Sequence, residues 1–86
     1  MSNLESKELL NVIVDQLLVD LISAAGRVNY CADEKDFGRN RCSYGIASHS
    51  ADVLRRLGQK AIIHDREDEG FIRITKLTTE KQDVIF

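Results

Sequence analysis

The sequence predicts an α+β domain, two helices followed by a β-hairpin, and three observations predict it. A heptad-spaced apolar seam runs through the first 25 residues. A second apolar-periodic stretch ends at Gly58. Two β-rich runs, 61–64 and 71–77, flank a short acidic loop that ends in glycine. A helical apolar period followed by β-branched runs around a polar turn marks helices giving way to a hairpin.

The first helix is expected over 3–25. Leu10, Val14, Leu17, Leu21 and Ala24 alternate spacings of four and three, and Ile13, Leu18 and Ala25 widen this seam into a core-facing stripe. Ser2 with Glu5 offers a capping box, and Gly26 is the expected stop. Such a rod is about 34 Å long. Val12 and Val19 fall on the opposite side, among Glu5, Glu8, Asp15 and Ser23. A helix with apolar residues on two sides calls for neighbours on two sides, and the rest of so short a chain can hardly supply both.

Residues 27–43 lack a sustained period. Val28 and Tyr30 offer a short extra strand near 28–31, and 33–38 reads as a turn or one helical turn around Phe37. The second helix is expected over 44–57, with Ile46, Val53 and Leu57 along one side and Ala47, Ala51 and Leu54 beside them. Ser43 or Ser50 would cap it, and Gly58 would end it. The hairpin follows, with a loop over 65–70. A single domain over 1–77 and a tail over 78–86 result; the apolar Val84, Ile85 and Phe86 would add an edge strand, dock on a partner or fray.

The chain has 86 residues, 14 acids against 12 bases, 43% apolar and 30% charged residues. That is one small soluble domain, neither a disordered chain nor a strongly basic coat protein. No window reaches about 18 uninterrupted apolar residues. Glu5 and Glu8 stand where a signal peptide carries bases, so the cytosol is the expected compartment and the two cysteines are expected to stay reduced. A Cys31–Cys42 disulfide would require export.

Charge is unevenly spread, at net −4, +4 and −2 over 1–38, 39–63 and 64–86. The basic block supplies Arg39, Arg41, Arg55, Arg56 and Lys60, a set suited to phosphate or to an acidic protein surface. The alternative is that these cations pair with the acids of 33–36 and 65–69 in the same domain. Cys31, Cys42, His49 and His64 are soft-metal ligand types, but no two have the close spacing that pre-forms a zinc site. A Cys–His nucleophile pair would need a cleft that a chain of this size has little wall to build. No phosphate-binding glycine loop or hydrolase signature occurs. No catalytic, cofactor or metal residue is therefore expected.

These observations lead to a non-enzymatic protein-interaction module that regulates or inhibits another macromolecule, a homodimer packed through helix 3–25. Val12, Val19, Asp15 and Glu8 would lie at that interface. Small phage-type or mobile-element inhibitors have this size and acidity, a class expectation with no family motif behind it. The alternative is a small winged-helix-like transcription regulator, with 44–57 as recognition helix, the hairpin as wing and the basic block on DNA phosphates. Against it, Arg55 and Arg56 sit at the wrong end of that helix. The wing tip carries Asp65, Glu67, Asp68 and Glu69, which phosphate would repel.

Overall fold

The computed structural model describes residues 3–86, with side chains from Glu5 onward, so the expected Ser2 cap lies outside the described residues. Two helices, α1 (Asn3–Asp33) and α2 (Phe37–Arg56), precede three antiparallel strands, β1 (Ala61–Asp68), β2 (Phe71–Thr79) and β3 (Asp83–Ile85), in the sheet order β1-β2-β3. The molecule is mixed α+β in the expected order.

Both helices are longer than the sequence signals imply. α1 continues through Gly26 and through 28–31, so the extra strand proposed there is helix. A glycine inside a helix costs about 1 kcal/mol, and burial overrides it. Leu21, Ala24, Ala25, Val28 and Ala32 are all enclosed, and continuing the helix is what encloses the last two. The turn comes at Lys35, in the left-handed region at φ 59°. There the Asp36 N–H donates to the Cys31 carbonyl (2.9 Å) and the Lys35 N–H to Ala32 (3.2 Å), a Schellman closure built without glycine.

Asp36 then caps α2, accepting from the Arg39 N–H at 3.2 Å. Phe37 and Gly38 thus open α2, the helical turn around Phe37 being its first, and the expected start at 44 moves forward. Ser43 and Ser50, the expected caps, are buried within the helix. Gly58 (φ 81°) does end α2, as the sequence indicates, with the Gln59 N–H donating to Leu54 at 2.9 Å.

The hairpin loop is shorter than 65–70. β1 runs to Asp68, and only Glu69 (φ 56°) and Gly70 (φ 88°) form the turn. Positive φ at both central positions makes the mirror-image turn whose twist suits a hairpin. Residues 78–86 finish β2 and form β3, which pairs with 76–78 of β2.

The core lies between the helical hairpin and one face of the sheet. Leu21, Ala24, Ala25 and Val28 meet Ala47, Ala51 and Leu54 of α2 and Ile72, Ile74 and Leu77 of β2. Alanine on α2 lets the two helix axes approach closely. Because β3 is short, the first half of β2 has a strand neighbour on one side only. Two asparagines fill the other side. The wholly buried Asn40 accepts from the Ile72 N–H (3.0 Å) and donates to the Ile72 and Val28 carbonyls (2.9 Å each). Asn29 accepts from the Ile74 N–H (2.8 Å) and donates to its carbonyl (2.9 Å). Backbone groups that would otherwise be orphaned in the interior are thereby satisfied.

Candidate interaction surface

α2 has 20 residues, the same number as 14–33 of α1. Running back antiparallel from the turn, it reaches only as far as Val14, the first buried side chain of α1. The preceding stretch of α1 therefore overhangs the body by about 16 Å, and the molecule measures 51 × 20 × 16 Å. Every described side chain of this arm before Val14 is exposed. Leu10 and Ile13, expected to face the core, are 40% and 44% exposed, because α2 ends before it covers them.

Of the expected interface residues, Val12 (64% exposed) and Val19 (56%) lie open on the side away from the core. Leu9 (53%) joins them, and the heptad pattern alone did not single it out. Glu8 lies on the arm, with no ion pair among the described residues. Asp15 is engaged by Lys81 from the β2–β3 turn, so it serves a contact within the chain.

Between α1 and α2, on the flank beside the arm's apolar side, runs an open groove of about 660 Å³. Leu17, Asp20, Ser23 and Arg27 line it from α1, and Cys42, Gly45, Ile46 and His49 from α2. A smaller hollow continues it past Arg27 to Tyr30, Cys31 and Arg39. Arg27 has no ion-pair or hydrogen-bond partner among the described residues. Ile46 is exposed in the groove, and a Cβ placed on Gly45 would meet nothing within 4 Å.

The basic block does not gather into one patch. Arg39 is the most exposed, with Asp36 at 3.7 Å. Arg41 pairs with Glu67 (3.0 Å), donates to the Gly70 carbonyl (3.2 Å) and stacks over Phe37. Arg55 donates to the Ala61 carbonyl at 2.7 Å, and Arg56 pairs with Asp52 at 3.2 Å. Lys60 is exposed, and its backbone N–H donates to Glu80.

The acidic hairpin tip is likewise engaged. Lys35 holds Glu69 (3.1 Å), and Arg73 reaches Asp33 (2.6 Å) and Asp68 (3.9 Å). Phe37 and Phe71 meet edge to face at 6.2 Å beneath these pairs. The tip is thus folded against the α1–α2 turn. Tyr44 donates to Asp65 from α2 to β1. That hydrogen bond to a carboxylate, with burial and the carboxylate's charge adding, raises the phenol above its ordinary value of 10.0.

The four soft ligands do not converge. Cys31 is buried and Cys42 exposed, both as free thiols. His49 lies in the groove, while His64 meets Thr78 on the hairpin at 2.9 Å. Among the described residues no three of His, Cys, Asp and Glu gather closely enough to hold a metal ion. By length and composition α1 over Glu5–Asp33 is apolar enough to cross a membrane, with a mean hydropathy of 1.6 in one 18-residue window. Only 22% of that window is buried in the fold.

The fold and surface define a small α+β chain, a helical hairpin over a three-stranded antiparallel sheet, with one helix overrunning its own body. No family model, curated protein or solved structure matches the chain.

Proposed function

We propose that this chain is a non-enzymatic protein-interaction module that works as a homodimer through α1 and regulates or inhibits another macromolecule. One observation carries the reading. The arm before Val14 is helical and exposes Leu9, Leu10, Val12 and Ile13 together, the first buried side chain of α1 among the described residues being Val14. Isolated short helices are marginal in water, so an overhanging apolar one gains by packing on a neighbour. Covering each such side chain contributes up to roughly 1.5–3 kcal/mol by area. Two-fold pairing of one patch with itself is the commonest way a small chain does this. The setting we assign is the cytosol, and an inhibitor of the phage or mobile-element kind is one form of such a module.

The winged-helix alternative is the weaker reading. Its wing tip is acidic and tied to Lys35, Arg41 and Arg73, and its cations are dispersed among pairs within the chain.

Sedimentation equilibrium over a wide concentration range tests the proposal. The wild-type chain is expected to sediment as a dimer. The double variant Val12→Asp, Ile13→Asp is expected to sediment as a folded monomer whose thermal transition no longer depends on protein concentration, since both sites lie outside the core. A wild-type chain that stays monomeric at the highest concentration removes the reading.

A further inference from the structure

We propose that the occupant of the α1–α2 groove is the N-terminal arm of a second copy of this chain, laid antiparallel, each arm being covered by its partner's α2. The inference rests on the homodimer reading and adds where the arm sits.

Length is the first argument. The groove is lined along 17–27 of α1, and the exposed apolar row Leu9, Ile13 and half-buried Leu17 rises toward it from the other side of the same point. Reversing one copy about a two-fold axis near Leu17 lays that row along the partner's groove. Leu9 then falls near Arg27 and Cys42 of the second copy, and Ile13 near its Ser23 and Ile46. Because α2 covers α1 only from Val14 onward, the stretch that one copy leaves bare is the stretch where the other copy's α2 arrives. Each overhang is matched by an α2 of the opposite copy, and the arrangement closes on itself without exposing a further copy of the patch.

Charge is the second argument. The far end of the groove presents Arg27, unpaired among the described residues, and Arg39, 81% exposed at its side chain with one weak partner. In this register Glu5, one turn before Leu9, arrives between them. Parallel pairing would instead set Glu8 and Asp15 beside their own copies, where like charges repel. Room is the third argument, since Gly45 leaves the groove floor open.

Cross-linking in the full-length chain tests the register. With Leu9→Cys, mild oxidation is expected to convert most of the chain to a disulfide-linked dimer through the native Cys42. Adding Cys42→Ser is expected to abolish that band. Ile85→Asp, on the exposed edge strand β3 and outside the groove lining, is expected to change the dimer dissociation constant by less than about twofold. Arg27→Glu is expected to weaken it roughly tenfold, and Glu5→Lys in the same chain to restore it. All five sites are on exposed positions, and far-ultraviolet circular dichroism confirms that each variant is folded. A chain that sediments as a dimer yet shows no link between position 9 and Cys42, or whose dimer Ile85→Asp dissolves, overturns the groove while leaving the homodimer reading intact. A monomer that instead floats with phosphatidylcholine–phosphatidylglycerol vesicles overturns both.

Discussion

The two halves of α1 carry one heptad seam and live in different surroundings. From Val14 onward the seam is sealed by α2 and β2, and before it the same spacing of leucine, valine and isoleucine faces water. Nothing in the local sequence separates Leu10 from Leu21. What separates them is that α2 ends after Arg56. Apolar periodicity therefore states that a helix wants a neighbour, and the length of the remaining chain decides whether that neighbour is internal. The largest contrast expected from this concerns two leucines. Leu21→Ala leaves a cavity in a fully enclosed site and is expected to lower unfolding stability by about 3 kcal/mol. Leu9→Ala is expected to change it by less than about 0.5 kcal/mol when measured by urea titration at concentrations where the chain is monomeric. Equal losses would mean that the arm is packed within its own chain.

The next expected effect sharpens the same comparison from the polar side. Asn40→Ala removes three hydrogen bonds and strands the Ile72 backbone in the interior, and it is expected to cost about 2–3 kcal/mol. The exposed Gln16, whose amide donates to Asp20 at 3.0 Å on the solvent side of α1, serves as the control. Gln16→Ala is expected to leave the midpoint nearly unmoved. Hydrogen exchange of the Ile72 amide should accelerate in the Asn40 variant alone.

How much of this was legible depended on whether the signal was local. The order of elements, the Gly58 stop and the valines at 12 and 19 came from periodicity and turn chemistry, which are written in neighbouring residues. The end of α1 was not so written. Gly26 has the right chemistry to stop a helix, but stopping there would have exposed Val28 and Ala32, whose burial depends on β2 and α2 far along the chain. Lys35 supplied the left-handed residue in its place, a choice no propensity favours. Asn29 and Asn40 lie in the stretch without a sustained period and carry no signal of their own, and their role appears only once β2 is seen to lack a neighbour. The arm was read as half core for the same kind of reason. Leu10 and Ile13 obey the core pattern, and only the span of α2 leaves them outside.

Gly26 offers a smaller and opposite-signed test. It lies on the exposed side of α1, and an added Cβ would meet nothing within 4 Å. Gly26→Ala is expected to stabilise the chain by about 0.5–1 kcal/mol, read as a higher thermal midpoint. Loss of stability would mean that this side of the helix is already in contact with something.

The smallest effect concerns pH. The Tyr44 phenol is held protonated by its hydrogen bond to Asp65, so its folded pKa lies above that of the unfolded chain. The stabilisation is complete below pH 10.0 and is lost as pH rises through the raised value. The unfolding free energy of the wild type is expected to fall more steeply with pH in that window than that of Tyr44→Phe. Parallel slopes would mean that the bond contributes nothing in solution.

The asparagine pair on β2 also bears on how this protein avoids self-templating. A half-paired strand at the centre of a small sheet is a standing invitation for another extended segment to zip alongside, the first step toward fibrils. Here the vacancy is plugged by two amides rooted in separate helices, so a strand intruding on this side of β2 would have to prise both helices from the sheet before it could find a free donor there. Pairing along this side of β2 is thereby tied to opening the packing of both helices.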